Sequence, residues 1–462
     1  MTQLPSHFSR RPQDRQTRSL FKVAIVGRGF TGILTAIALL RTVKRPFHLV
    51  MYDPQQTVDI SRSVSQSATT LLNSRVRDLS VDPGVRDDFS RWLEAEQKLG
   101  EAVGCERTGR DQSFVSGELF SQYVHQRFSE ALQSRTDVVV QICPEIVTGL
   151  DHSEELGFSL SFGERQNARF DTVFLATGYG LRENTAEGQA GPAGDNVVVI
   201  GAGVRAVDRA LRLLANSQAR HVTLISASGF LPQSHARSAV GPIVSEEPFP
   251  RTLRGAFRHL RRAAEVANAD GSGWQGIMNG FRSRAHDLWQ ELSAEERGRF
   301  KRHVRAIYDS HRNRLPPEHF ERLHRAIADG AITLRKGKVE RIASNGVLFS
   351  GPAGLEVLYA SRAVDCRSRP TDLESPLYRS VLRAGLARRD VVDLGIVVDR
   401  CGRTASEPQG SKGLFAMGPL GLGSLPDIDL VPEIVIQGHA AAVALDNWIH
   451  ELSLAEQRLP DE

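Results

Sequence analysis

The stretch "FKVAIVGRGFTGILTAIALL", residues 21–40, decides the fold class. Val23, Ala24, Ile25 and Val26 form a short continuous apolar run, the pattern of a strand buried on both faces. Gly27, Gly29 and Gly32 follow as G-x-G-x-x-G, and Ile33, Leu34, Ile37, Ala38 and Leu40 then recur at helical spacing. The three glycines have separate tasks: the first permits a tight turn, the second lets the backbone approach a pyrophosphate, and the third lets helix pack closely on strand. Amides at the start of such a helix face the phosphates, and Thr31 lies in that first turn, so it joins the three glycines as a candidate nucleotide-binding residue. Arg28 fills the first variable position, where its long side chain is expected to lie outward in solvent.

Working outward, "FHLVMYDP", residues 47–54, supplies a second strand closed by Asp53. An acid about 20 residues beyond the last glycine is where a carboxylate accepts hydrogen bonds from ribose hydroxyls. The same unit recurs at "NVVVIGAGVRAVDRALRLL", residues 196–214. Val197 to Ile200 are the strand, Gly201 and Gly203 the turn, and Ala206 takes the third glycine position. The strand after it, "HVTLIS", ends in Ser226 instead of an acid. An acid there repels a ribose 2′-phosphate, so its absence favours NADPH over NADH without deciding between them. Arg205 reads either as a phosphate partner or as a solvated surface arginine.

Between the two turns stands "FDTVFLATGYG", residues 170–180, a buried strand closed by Ala176, Thr177, Gly178 and Tyr179. In two-dinucleotide flavoproteins an A-T-G-Y strand at this place brings the chain back beneath the flavin domain, although a generic core strand ending in a glycine turn looks similar. Two dinucleotide turns in one chain suit a flavin at one and a nicotinamide at the other; the alternative is a duplicated fold with one live site. The fold class expected is α/β, with two Rossmann-like dinucleotide-binding domains plus a helical segment.

In this order the motifs resemble a bacterial family of FAD/NAD(P)-binding oxidoreductases, distant relatives of flavin-containing and N-hydroxylating monooxygenases. "LLN" (Leu71–Asn73), "DDFSRWL" (Asp87–Leu93) and "SFVSGELFSQYV" (Ser113–Val124) look like that family's FAD domain. Asp208 and "GFLPQSHA" from Gly229 look like its nicotinamide domain. "RFKRHVRAIYDSHRNRLPP" from Arg299, with Trp274 and Trp289 upstream, is similar to its helical segment. "GLFAMGPLGLG" (residues 413–423) and "VPEIVIQGHAAAVAL" (residues 431–445) are similar to its final strand and helix.

The resemblance implies a domain plan: a basic tail without order over 1–20, an FAD-binding domain over 21–190 and 375–462, and an inserted NAD(P)-binding domain over 191–374 with helices at 251–328. It adds Asn73, Gly178, Gly418 and Pro432 to the cofactor-binding candidates Gly27, Gly29, Thr31, Gly32, Asp53, Gly201, Gly203 and Arg205. The helix that starts near Pro432 would stabilise an electron-rich flavin ring through its dipole. Two departures stand out. Ala227 and Ser228 replace the basic pair that relatives carry after the second nicotinamide-domain strand, and Arg367 and Ser368 replace a T-G turn.

Composition narrows the classes. The 462 residues, 40% apolar and 24% charged, suffice for two or three cores. No apolar run reaches the roughly 20 residues of a membrane span, and the arginine-rich start lacks a signal-peptide core, so a cytoplasmic location without membrane attachment is expected. Cys105, Cys143, Cys366 and Cys401 lie far apart, without the C-x-x-C of a disulfide-exchanging flavoenzyme or any metal-ligand spacing. Net charge of +4, without a basic stripe, speaks against nucleic acid. His303, His311, Arg302, Arg312 and Arg314 read better as residues of solvated helix faces than as an anionic-substrate pocket.

The function expected is an FAD-dependent, NAD(P)H-using oxidoreductase that oxygenates a small molecule such as an amine. The alternatives are a reductase or oxidase without oxygen insertion, and a flavin-binding regulatory partner without turnover. No catalytic residue and no metal ligand is assigned.

Overall fold

The computed structural model describes residues 20–54, 71–163, 165–180, 194–244, 247–367, 371–406 and 413–457. Apart from Leu20, the tail over 1–20 lies outside them, as does Ser368.

Strand β1 (Phe21–Val26) pairs in parallel with β2 (Phe47–Tyr52), which pairs with β3 (Val139–Cys143). On its other side β1 pairs with β7 (Thr172–Leu175), and β7 with β15 (Leu414–Ala416), giving the all-parallel order β15-β7-β1-β2-β3. A C-terminal segment thus completes a sheet begun at the N-terminus. The register sets Phe415 opposite Phe174, whose rings stack at 4.6 Å, both fully buried. Removing either large side chain from such a core costs about 3–5 kcal/mol.

The antiparallel meander β4 (Gly149–Ser153), β5 (Gly157–Phe162) and β6 (Arg165–Phe170) precedes the return strand β7. The second sheet repeats the plan. Strands β8 (Gly194–Ile200), β9 (Ala219–Ser226), β10 (Ile332–Lys336) and β14 (Arg362–Asp365) lie in parallel order β10-β9-β8-β14. A second meander, β11 (Lys338–Ala343), β12 (Gly346–Gly351) and β13 (Gly354–Tyr359), precedes its return strand β14. Buried parallel strands need helices on their faces, and the apolar runs at both turns are the sequence sign of that burial.

Helix α1 (Phe30–Thr42) lies against β1, packed by α3 (Gly117–Gln133) and the long C-terminal α11 (Val431–Gln457), with the short α2 (Asp88–Ala95) flanking α3. Helix α4 (Val204–Ala215) follows β8. Between β9 and β10 the chain builds α5 (Leu253–Ala269), α6 (Trp274–Glu291), α7 (Ala294–Arg299), a π turn over Phe300–Val304, α8 (Arg305–Arg312) and α9 (Pro317–Ala328). Helix α10 (Pro376–Arg383) packs on β4.

Although it interrupts the second sheet's sequence, the helical segment docks on C-terminal loops of the first. Trp289 Nε1 donates to the Gly423 carbonyl at 2.7 Å, Gln290 Nε2 to that of Ser424 at 2.8 Å, and Lys301 Nζ to that of Val392 at 2.5 Å. No helix among the described residues is long and apolar enough to cross a membrane.

Candidate active site

At the first turn Gly27 has φ +102°, and a Cβ there would meet the Ala176 carbonyl oxygen at 2.5 Å. Gly32 is equally constrained, since a Cβ would strike the Gly27 carbonyl, so helix and turn touch directly. The backbone amide of Arg28 donates to Asp53 Oδ2 at 2.8 Å, which brings Asp53 to the turn. Arg28 itself corrects the sequence reading: it is only 8% exposed. Burial lowers its pKa and the Asp53 charge partly restores it, and the side chain does not lie out in solvent.

At the second turn Gly201 has φ +120° and its absent Cβ faces the Cys366 carbonyl oxygen, whereas Gly203 is exposed with open space around it. Arg205 is exposed on the first turn of α4. Both helix starts share a telling feature. Gly29 caps α1 and Gly203 caps α4, neither with a side-chain hydrogen bond. Ser116, Thr252, Ser293 and Ser375 accept from first-turn amides of α3, α5, α7 and α10, whereas α2, α6 and α9 also begin without a side-chain cap. The two glycine starts leave those amides for another acceptor, and a dinucleotide's phosphates fit that need.

The first-turn candidates gather around one end of the first sheet. Thr31 faces Gly418, whose missing Cβ would sit 2.9 Å from the Thr31 side chain. The Gly418 amide donates to Gln437 Oε1 at 2.8 Å, and the Gln437 Nε2, buried in α11, has no partner among the described residues. Gly178 has open space on its Cβ side, and Thr177 Oγ1 hydrogen-bonds the buried Tyr378 hydroxyl. Pro432 lies in the first turn of α11, beside Glu433, whose carboxyl burial pushes up, with Asp427 adding to the effect. The open Cβ side of Gly178, the uncapped α1 and an orphaned buried amide fit a flavin nucleotide at this sheet.

Asn73 plays a joining role. Its carbonyl accepts from His235 Nε2 at 2.8 Å, and the neighbouring Arg75 guanidinium donates to the Gln112 and Ala236 carbonyls at 2.6 and 2.5 Å. Burial pushes the His235 pKa down to about 3 despite the Asn73 carbonyl, so the ring is neutral at ordinary pH and its Nε2 carries the proton.

Beyond Ser226 the sequence lacks a basic pair, but the sheet supplies one basic side chain from the next strand. Lys336 ends β10 opposite Ser226, and its aliphatic stem lies 3.5 Å from where a Cβ on Gly229 would be. Lys336 is exposed and has no ion-pair partner among the described residues. Arg367, by contrast, folds back onto Asp365 with an Nη2–Oδ2 distance of 2.7 Å.

Where the helical segment meets the loop before α11, the charges converge. Arg312 Nη1 reaches Asp427 Oδ1 at 2.6 Å and Asp429 Oδ1 at 2.9 Å, with Asp309 at 3.7 Å from Nε. Tyr308 donates to both Asp427 oxygens at 3.2 and 3.3 Å, and Tyr179 of A-T-G-Y donates to Asp429 Oδ2 at 3.0 Å. Burial alone would raise the Asp429 pKa, but the Arg312 charge and hydrogen bonds hold it below the usual carboxylate range. Asp427 is buried with φ +67°, a left-handed conformation that Asp tolerates better than most residues.

This corrects the reading of the helical basic residues. The Arg312 side chain is 7% exposed within an ion-pair cluster, and Arg314 is buried against Trp274 and Asn279, with burial lowering its pKa to about 10. Arg302 and His303 are exposed, as a solvated face requires. Sequence reasoning missed Asp427 and Asp429 altogether. The available signal was "PLGLGSLPDIDLVP", residues 419–432, where two acids interrupt an otherwise uncharged run; acids buried there need a cation.

Above this cluster α5, α6, the π turn and α8 wall a cleft of about 540 Å³, lined on the other side by Leu394, Leu422, Pro426 and Asp427. Phe281, Trp289 and Phe300 give it an apolar wall, with Tyr308, Asp309 and Arg312 at its polar corner. π turns inside helices occur often at functional sites. Among the described residues no group of His, Cys, Asp and Glu is arranged to hold a metal ion.

Residues 24–180 match a family model described as FAD-NAD(P)-binding. No curated protein matches the sequence. Among solved structures, the ornithine N-hydroxylase of Kutzneria sp. 744 is 14% identical with a TM-score of 0.59, the match covering 94% of this chain and 100% of that one. L-lysine 6-monooxygenase from Pseudomonas syringae is 15% identical with a TM-score of 0.60, covering 92% and 99%. The bacillithiol disulfide reductase of Staphylococcus aureus is 12% identical with a TM-score of 0.52, covering 95% and 99%. At these identities the likeness is one of fold. The fold of the chain is that of two-domain FAD/NAD(P)-binding flavoproteins, and residues 24–180 carry the FAD-NAD(P)-binding match.

Proposed function

We propose that the protein is a flavin monooxygenase that uses NADPH to place one oxygen atom on a small molecule, an amine in the leading case. FAD is held at the first sheet by the turn Gly27–Gly32 with Thr31 and Asp53, and on the far side by Gly178, Gly418 and the start of α11 at Pro432. NADPH is held at Gly201, Gly203 and Arg205, with Lys336 as the partner of its 2′-phosphate. The domain division follows: an FAD-binding part over 21–190 and 375–462, and an NAD(P)-binding part over 191–374.

The observation that carries this reading is the apolar cavity of about 540 Å³ between the helical segment and the loop leading into α11. Its volume suits a small molecule, and a ligand that covers its apolar wall displaces water from it. When bound, FAD supplies hydride acceptance and oxygen activation. The chain's own residues bind and orient both nucleotides, and Tyr179, Asp429 and Arg312 lock the cavity's polar corner onto the A-T-G-Y strand. In the reaction one atom of O₂ enters the substrate and the other leaves as water; NADPH supplies a hydride and solvent a proton.

The test is anaerobic reduction of the flavin-loaded protein by NADPH, followed by a pulse of ¹⁸O₂ with a panel of amines. One labelled oxygen in an amine product supports the reading. Recovery of all the oxygen as hydrogen peroxide, whatever amine is present, removes it.

A further inference from the structure

We infer that the cavity beside α11 selects a substrate with a bulky hydrocarbon or aromatic body and one basic head group, and that Asp427 receives that head. The inference deepens the site of the proposed monooxygenase and rests on that reading for the reaction, though not for the binding.

The body of the ligand follows from the walls. Trp274, Ile277, Met278 and Phe281 on α6 and Phe300 in the π turn line the cavity, yet all five are only half-buried. These large apolar side chains gather at one place with their inner faces uncovered, and covering such surface yields about 25 cal/mol per Å². A cavity of about 540 Å³ falls in the range that encloses a drug-sized molecule. An amino-acid zwitterion needs a charged partner for its carboxylate. Here the lining cations are engaged or peripheral: Arg312 is taken by Asp427 and Asp429, Arg305 lies 3.4 Å from Asp309, and Arg261 is exposed and pairs with Glu265.

The head group follows from the polar corner. Asp309, Asp427 and Asp429 face Arg305 and Arg312 there, three carboxylates against two guanidinium groups. Asp427 Oδ1 takes the Arg312 hydrogen bond, whereas among the described residues Oδ2 receives only a 3.3 Å contact from the Tyr308 hydroxyl, which it shares with Oδ1. Oδ2 therefore keeps acceptor capacity in a buried place, where an unmet acceptor is costly and a cationic N–H donor is the matching partner. A carboxylate head group would add a fourth negative charge to the corner. Asp427 sits four residues before the start of α11, so a head group held there lies beside the segment assigned to the flavin.

The experiment is calorimetric titration of the flavin-loaded full chain with 4-phenylbutylamine, 4-phenylbutyrate and L-ornithine. The amine is expected to bind at least tenfold more tightly than either of the others. Ala264→Phe, which fills the cavity from α5, should weaken the amine at least tenfold, and Asp427→Asn should bring amine and carboxylate within about threefold of each other. Thermal melting of each variant identifies any that fails to fold, and the wild-type ranking alone then decides. Failure of the amine to bind, or L-ornithine binding as tightly, overturns the inference. Tight amine binding without an oxygenated amine product leaves the inference standing and removes only the monooxygenase reading.

Discussion

The two glycine turns share a backbone and differ in their surroundings. Gly27 and Gly201 both take positive φ, and α1 and α4 both begin on a glycine without a side-chain cap. The first turn is sealed: its helix is buried along nearly its whole length, Arg28 is covered, and Asp53 is fastened to the turn. The second is open: Gly203 and Arg205 are exposed, and the partner strand ends in Ser226 with Lys336 beside it. A sealed turn suits a resident cofactor that stays through many cycles, and an open one suits a nucleotide that enters and leaves. The same motif therefore stands in two different settings, set by what covers it.

That contrast breaks most easily at Gly27. Gly27→Val puts a side chain against the Ala176 carbonyl at a backbone angle that valine resists, and the purified protein should be colourless, as its visible spectrum will show. Gly203→Asp has room to fold and puts a negative charge where a pyrophosphate is expected. It should keep its yellow flavin while anaerobic reduction by NADPH slows about 100-fold in stopped flow, roughly 2.7 kcal/mol. Equal loss of flavin in both variants would erase the assigned difference between the turns.

Lys336 sharpens the comparison. Lys336→Ala should raise the NADP⁺ dissociation constant about tenfold, near 1.4 kcal/mol, and leave NAD⁺ unchanged. An equal change for both nucleotides would separate the lysine from the 2′-phosphate.

The smallest effect concerns the seam between the two units, where His235 meets Asn73. Its folded pKa of about 3 lies below the unfolded value near 6.5, so the folded state resists the proton that the unfolded chain accepts. Stability is full above pH 6.5 and falls as the pH drops toward 3, by at most about 1.4 kcal/mol per unit. Denaturation of wild type and His235→Gln at pH 6.5 and 5.5 should show this loss in wild type alone.

Much of the fold was legible because its signals are local. An apolar run, three glycines at fixed spacing and a helical repeat are consequences of one strand packing on one helix, so "FKVAIVGRGFTGILTAIALL" specified its own unit, and the second turn did the same. Arg28 was misread because its burial depends on Asp53 and on the strands around it, which are distant in the chain. Arg312 was misread for a similar reason: its helix pattern permits a solvated face, and only the approach of Asp427 and Asp429 buries it.

The sequence alone determined an α/β chain with two dinucleotide turns and the residue types that such turns require, since each glycine answers to its immediate neighbours. Only the tertiary structure decided which charges meet. Lys336 reaches the end of β9 through strand pairing, and the acids before α11 meet Arg312 because the helical segment docks on the other unit. Those contacts join residues far apart in the chain, and their energies depend on a burial that no local pattern records.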